Sequence, residues 1–404
     1  MEAHVLPSKI IGRVEAPQSK SIAIRLLFAG LLGDVVLDNL HISDDVASAM
    51  NAITVVKRAM RSPGTTLDML EVHGSGTTLR MLLPVLAFLG MECELHGDQT
   101  LERRPLGVIR AWLEANGAQL SSDHLPLRIS GRIETDSVEI SGSESSQYIS
   151  GIIYGLLLTG GGKIRLIPPV RSSSYIEMTC SVLISLGCSI RYHGMEIDVG
   201  PLMPNLRYHG EVPGDFLLSS FYAISSLLTG GSVEISGLSN PQWSSGDSRI
   251  VDIMRSCGAD SFLSHGTWRV SGIGPLTGFK EDVEDSPDMA VSLAALSAGA
   301  LGESVITGTN LLEIKESNRI LSISRTLEAF GLEVSDGKGI VINNTGKYLQ
   351  GVVADWKDHR IAMLGTVLAM RSGGLVRGAE TVSKSNPQFF DDMAGLGGRL
   401  SLRS

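Results

Sequence analysis

Apolar residues in this chain gather in helix-length blocks, each closed by glycine and followed by a short stretch of strand-like alternation. The pattern is first met as IAIRLLFAGLLGDVVLDNL and again as LRMLLPVLAFLGMECELHG. It returns as QYISGIIYGLLLTGGGKIRLIP, LSSFYAISSLLTGGSVEISGL, DMAVSLAALSAGALGESVITG and HRIAMLGTVLAMRSGGLVRGAE. The closing glycines are Gly33, Gly90, Gly161, Gly230, Gly302 and Gly373, roughly 70 residues apart except at the shorter first interval. Each unit predicts a buried helix, a left-handed glycine cap and a strand.

Between these units lies a second kind of element, amphipathic and ending in a small-residue turn before a strand. It reads VIRAWLEANGAQL, MTCSVLISLGCSIRY, IVDIMRSCGADSFL and LSISRTLEAFGLEV, with FFDDMAGLGGRLSL as its last copy. One repeat is therefore strand and helix twice over, with an extra strand. Such a unit cannot cover both faces of its own sheet, so copies must pack together. Six copies predict an α/β chain of two domains with three repeats each. The boundary falls in RYHGEVPGDFLLSS, near Pro213 and Gly214, and the opening strand HVLPSKIIGRVEAP could pair with either half.

Composition narrows the class. The chain has 404 residues, enough for two domains of ordinary size. A net charge of −9 argues against nonspecific nucleic-acid binding. Cys93, Cys180, Cys188 and Cys257 are scattered without CxxC spacing, which predicts buried, reduced thiols. The opening MEAHVLPSKI lacks the basic and apolar regions of a secretory signal, and no apolar run reaches the ~20 residues of a membrane span. A cytoplasmic setting is expected.

The chemistry collects at helix starts. PQSKS with Arg25, GSGTTLR, SGSESSQY, EDSPDMA, IKESNR and KDHRIAM all stand just before or within a predicted first turn. Helix N-termini attract anions, so Lys20, Arg25, Lys315, Arg319 and Arg360 sit at the electrostatically unfavourable end unless an anion joins them. Ser21 and Arg25 are four apart, as are Lys315 and Arg319, which predicts that each pair shares a helix face. In EDSPDMA, Ser286 is expected to cap, Pro287 to take the first helical position and Asp288 to follow. Glu316 could orient Arg319 or move a proton, while LERRPLG and SKSNP supply Arg104 and Lys384. His359 reads as a structural histidine. The set implies a ligand bearing several anionic groups, phosphate with carboxylate. Neither a P-loop nor a strand-bound GxGxxG is present to suggest a nucleotide.

At these residues the sequence resembles the 5-enolpyruvylshikimate-3-phosphate synthases, enolpyruvyl transferases of the shikimate pathway and of aromatic amino-acid biosynthesis. The motifs are PQSKSIAIR, GSGTTLR, ERRP, SSQY, SSSYIEMT, SPDMA, IKESNR, DHRIAM and SKSNPQFF, in the family's order across nearly the whole chain. The resemblance implies an α/β fold, a two-domain inside-out α/β barrel in which each domain has three βαβαββ repeats with pseudo-threefold symmetry. One domain would span 19–213 and the other 1–18 with 214–404, the chain crossing near Gln18 and Gly214.

The resemblance also implies roles. Lys20, Ser21, Arg25, Ser145, Ser146, Gln147, Ser172, Asp288 and Lys315 would hold shikimate-3-phosphate. Lys20, Gly76, Arg104, Gln147, Arg319, Arg360 and Lys384 would hold phosphoenolpyruvate. Asp288, Glu316 and Lys20 would be catalytic, with Asp288 accepting the hydroxyl proton and Glu316 handling protons at the enolpyruvyl carbon. The reaction is addition then elimination, with no metal or organic cofactor, no nucleic acid and no membrane, in a monomer. The family is the target of glyphosate, and sensitivity would depend on packing around Gly76 and Thr77.

Some positions depart from the family's pattern. Leu311 stands where relatives offer a polar side chain, GDFLLSS is more apolar than usual after Asp215, and SSSY leaves Ser172, Ser173 and Ser174 as alternatives. The rivals are a UDP-N-acetylglucosamine enolpyruvyl transferase, an RNA 3′-phosphate cyclase and a non-catalytic phosphometabolite-binding protein. The first would carry Ser-Lys-Asn where this chain has Ser19-Lys20-Ser21.

Overall fold

The computed structural model describes residues 1–61, 67, 69–143, 145–203, 206–272, 274–337 and 339–403. Glu144 of the SGSESSQY motif lies outside them. The chain divides into two compact units: a continuous one, Lys20–Val212, and a split one, Met1–Ser19 with Pro213–Ser404. Each has its own apolar core.

The continuous unit carries helices α1 (Lys20–Ala29), α2 (Asp44–Met60), α3 (Gly76–Leu89), α4 (Gln99–Glu102), α5 (Gly107–Ala115), α6 (Ser146–Thr159) and α7 (Ser173–Ser185). The split unit carries α8 (Phe216–Leu228), α9 (Ser245–Ser248), α10 (Ile250–Ser256), α11 (Met289–Ser297), α12 (Arg319–Ala329), α13 (His359–Ser372) and α14 (Phe389–Gly395). The helices of the glycine-closed blocks are buried nearly all round. This holds for α3, α6, α8, α11 and α13. An apolar surface on every side leaves a helix no face for water, so it must sit inside. The strands alternate buried and exposed positions, as one-sided sheets do. Among the described residues no helix is long and apolar enough to cross a membrane.

Each unit holds three sheets among the described residues, and each sheet contains a parallel pair beside a buried helix. In four of them the helix joins the pair directly: α3 joins Met69–Glu71 to Cys93–His96, and α6 joins Ser137–Ser141 to Gly162–Ile167. In the split unit α11 joins Lys280–Asp282 to Ala300–Thr307, and α13 joins Gly351–Val353 to Gly374–Arg377. The other two pairs exchange partners. Ile11–Glu15, which precedes α1 in the chain, pairs with Ser232–Ser236 after α8. Arg207–Gly210, which precedes α8, pairs with Asp34–Leu37 after α1. The repeat thus survives in all six places although the chain changes unit twice. HVLPSKIIGRVEAP is two strands, not one: Glu2–Leu6 pairs antiparallel with Gly374–Arg377 and Arg399–Arg403.

The recurring glycines have more than one cause. Gly90 caps α3 in the left-handed region at φ 65°, but α6 is capped by Gly160 rather than Gly161, and Gly302 lies inside a strand. Gly33 is not left-handed. A Cβ there would lie 2.2 Å from the Leu206 carbonyl oxygen, and one at Gly231 would lie 1.8 Å from that of Ile10. These are matching places: each glycine follows a buried helix and meets the residue that leads into the exchanged strand. Close backbone approach, not helix capping, requires glycine there.

Candidate active site

In the continuous unit the site residues sit at the starts of α1, α3, α6 and α7. Lys20 opens α1, and its Nζ donates to Asp45 Oδ2 at 2.7 Å. The cation at the unfavourable helix end therefore has an acid of the same chain beside it, from the first turn of α2. Arg25 is 1% exposed. Its Nε donates to Thr179 Oγ1 at 2.8 Å, Nη1 to the Ser21 carbonyl at 2.8 Å and Nη2 to the Tyr175 carbonyl at 2.9 Å. Thr179 in turn shares a 2.7 Å hydrogen bond with Ser150 of α6, so Arg25 ties α1, α6 and α7 together.

Ser75 caps α3 by accepting from the Thr78 amide, and Ser145 caps α6 by accepting from the Gln147 amide. Gln147 bridges the two helix starts: Nε2 donates to Thr77 Oγ1 at 2.8 Å, and Oε1 accepts from Arg80 Nη1 at 3.3 Å. A Cβ on Gly76 would meet Arg80 Nη1 at 2.8 Å and Arg104 Nη1 at 3.3 Å, so the missing side chain leaves room for two guanidinium groups. Ser146 is buried in the first turn of α6. Ser172 is buried and holds a left-handed backbone, φ 56° and ψ 38°, at the head of α7. That conformation is uncommon outside glycine and concentrates at ligand sites.

In the split unit Asp288 is the meeting point. Arg319 Nη1 lies 2.7 Å from its Oδ1, Lys315 Nζ 3.2 Å from the same oxygen, and Arg360 Nη2 3.6 Å from Oδ2. Burial works to raise the pKa of Asp288. The charges of Lys315, Arg360 and Arg319 outweigh it and hold the carboxyl well below the usual range. Arg319, 1% exposed, also donates to Glu316 at 2.8 Å and to Asp358 at 2.9 Å. Burial alone would lower the pKa of its guanidinium, but Asp358, Glu316 and Asp288 drive it well above its ordinary value. Asp358 is buried too, yet Arg319 keeps it ionised, with a pKa below normal. It accepts from the Arg360 amide as the cap of α13 and from Ser317 Oγ at 3.0 Å.

Two local expectations need correction. Ser286 does not cap α11: its hydroxyl donates to buried Asp247 at 2.5 Å, and the helix begins at Met289 with Asp288 in the cap position. Lys315 and Arg319 do not share a helix face, because α12 begins at Arg319 and Lys315 lies in the preceding turn. Asn318 caps α12 by accepting from the Leu321 amide, which sets the start there. Both cations still reach Asp288, through the turn rather than along a helix.

Lys384 ends a 3-10 helix, Ala379–Lys384, and Arg104 lies between α4 and α5. Among the described residues neither makes an ion pair. Leu311 is buried at the end of another 3-10 helix, and His359 is buried in the first turn of α13. Sequence reasoning missed Asp45, Arg80, Asp247 and Asp358. Arg80 and Asp358 stood in the quoted motifs, Asp358 just ahead of a helical run as a cap should be.

This arrangement supports recognition of a polyanion by charge-assisted hydrogen bonds, beside a carboxylate kept ionised. Residues 6–393 match the family model described as EPSP synthase (3-phosphoshikimate 1-carboxyvinyltransferase). A 3-phosphoshikimate 1-carboxyvinyltransferase of Sulfurisphaera tokodaii is 42% identical, with each chain fully covered. Those of Saccharolobus solfataricus and Caldivirga maquilingensis are 40% and 36% identical, again over all of both chains. Among solved structures, EPSP synthase from Acinetobacter baumannii superposes with a TM-score of 0.80 at 22% identity, covering 100% of each chain. The enolpyruvyl transferase NikO from Streptomyces tendae gives 0.72 at 14% identity, covering 99% of this chain and 98% of its own. Sequence relatives at this identity and a shared fold lead to one assignment: the chain belongs to the EPSP synthase family.

Proposed function

We infer that this chain is a 3-phosphoshikimate 1-carboxyvinyltransferase, which moves the enolpyruvyl group of phosphoenolpyruvate to the 5-hydroxyl of shikimate-3-phosphate and releases phosphate. The observation that carries the site assignment is the convergence of Lys315, Arg319 and Arg360 on Asp288. Asp288 stays ionised at neutral pH and can accept the 5-hydroxyl proton. The cations that depress its pKa also make it a weak base. An anionic substrate drawing on the same cations shifts their field away from Asp288 and strengthens it as the reaction begins.

In the first step the 5-oxygen bonds to C2 of phosphoenolpyruvate, Asp288 takes the hydroxyl proton and C3 gains a proton that Glu316 relays from solvent. In the second, the bond from C2 to the phosphate oxygen breaks, C3 returns its proton to Glu316 and the enolpyruvyl ether remains. Phosphate leaves with the electron pair, and Lys20, Arg104, Arg319, Arg360 and Lys384 stabilise its charge. Ser21, Arg25, Ser145, Ser146, Gln147 and Ser172 hold shikimate-3-phosphate, and Gly76 leaves space for phosphoenolpyruvate. The left-handed backbone of Ser172 favours it over Ser173 and Ser174. The reading places a monomer in the cytoplasm, acting on small molecules without nucleic acid, membrane or cofactor.

The test is phosphate release from phosphoenolpyruvate with shikimate-3-phosphate, run beside UDP-N-acetylglucosamine. Release with the first acceptor alone is expected. Release only with the second, or with neither, overturns the reading.

A further inference from the structure

Among the buried carboxylates of the split unit, two have evident tasks. Asp358 faces Arg319, and Asp215 caps α8 by accepting from the Leu218 amide at 2.9 Å. Asp247, in short helix α9, has neither a helix to cap nor, among the described residues, an ion pair. It is 7% exposed, and its Oδ1 accepts the Ser286 hydroxyl at 2.5 Å.

Ser286 stands two residues before Asp288 and is 1% exposed. It opens the turn that delivers Asp288 to its cations: the Met289 amide donates to the Ser286 carbonyl at 3.0 Å and the Ala290 amide to that of Pro287 at 3.2 Å. Asp288 itself makes no side-chain cap bond to α11. Its backbone therefore depends on this turn, and the turn is fastened at its first residue by a side chain from another element.

We propose that Asp247 is a positioning residue which fastens Ser286 and so holds Asp288 among Lys315, Arg319 and Arg360. This rests on the reading of Asp288 as the base. The charged and titratable groups facing Asp247 are Asp215 at the head of α8, Asp288 before α11 and Arg360 at the head of α13. Burial comes first, then the Asp215 charge, with Asp288 adding to them. Together they push the Asp247 carboxyl up to about 7 against the Ser286 hydrogen bond and Arg360. The fastening needs only an acceptor for the Ser286 hydroxyl, and an asparagine carbonyl supplies one where alanine does not.

The test compares wild type, Asp247→Asn, Asp247→Ala and Ser286→Ala near neutral pH. Phosphate release gives kcat and both KM values, and hydrogen exchange at the Met289 and Ala290 amides reads the turn without activity. Asp247→Ala and Ser286→Ala should lose about tenfold or more in kcat, with KM changed less than about threefold, and should exchange faster at both amides. Asp247→Asn should stay within about threefold of wild type and exchange at the wild-type rate. Wild-type kcat in folded Asp247→Ala and Ser286→Ala overturns the proposal, as does Asp247→Asn no better than Asp247→Ala. A wild type without phosphate release refutes the reading of the base instead. Exchange then decides the fastening alone: unchanged exchange in both truncations overturns it.

Discussion

Arg319 and Asp358 face each other across 2.9 Å with side chains 1% and 0% exposed. Two charges so far from water are held only by each other and by the surrounding polar groups. Asp358→Ala would leave the Arg319 guanidinium short of a partner and remove the cap of α13. We expect a loss of about 3–5 kcal/mol, measured by urea unfolding. Asp358→Asn keeps the cap acceptor and should lose less.

The acids of the split unit respond to pH in opposite senses. Asp288 and Asp358 have folded pKa values below the ordinary 3.8, so the unfolded chain binds protons more readily just beneath that value. Their contribution to stability is complete above it and disappears as pH falls through the folded values. Asp247, at about 7, is the reverse: the folded chain holds the proton longer, and stability declines as pH rises from 3.8 to about 7. Asp247→Asn removes that decline. Its unfolding free energy relative to wild type, read by urea titration, should climb across this range, reaching a gain on the order of 4 kcal/mol above it. A gain that does not depend on pH would contradict this assignment.

Gly231 and Gly107 should answer differently to alanine. At Gly231 the new methyl would lie 1.8 Å from the Ile10 carbonyl oxygen, and a backbone must move. A loss of about 2 kcal/mol or more is expected. At Gly107, which opens α5, nothing lies within 4 Å. Alanine there should be neutral or should stabilise by up to about 1 kcal/mol. Denaturant titration of both variants checks the contrast.

At Gly76 the obstacles to a methyl group are the far ends of two flexible side chains, Arg80 and Arg104. These can give way, so Gly76→Ala should fold and melt much like wild type. The displaced guanidinium groups should instead raise KM for phosphoenolpyruvate by about threefold or more, with KM for shikimate-3-phosphate less affected. Equal KM changes for the two substrates would count against placing phosphoenolpyruvate at Gly76.

The parts legible in the sequence were those with a local signal. Buried helices announce themselves by being apolar on every side, and cations at helix starts are visible because the helix dipole makes them conspicuous. Helix α2 carried proper signals, with Ser43 before it, Asp44 and Asp45 in its first turn and Lys57 and Arg58 in its last. It was missed because it lacks the closing glycine of the repeat. The acids that serve the cations were hidden for another reason. Asp45 lies 25 residues from Lys20, Asp358 39 from Arg319 and Asp247 39 from Ser286, and only tertiary structure joins such pairs. The start of α12 was placed too early because Lys315 and Arg319 have helical spacing, whereas Asn318 decides where the helix begins.

The exchange of strands bears on how the chain is made. On the ribosome, Glu2–Leu6 and Ile11–Glu15 emerge before every strand they pair with, and the continuous unit is synthesised whole in the interval. Among the described residues every strand pair of that unit lies within Lys20–Val212, so its sheets can close during translation. The two early strands must wait with bare edges until Ser232–Ser236, Gly374–Arg377 and Arg399–Arg403 arrive. Arg399–Arg403 therefore completes the pairing of Glu2–Leu6, and assembly of the split unit is deferred until that strand has left the ribosome.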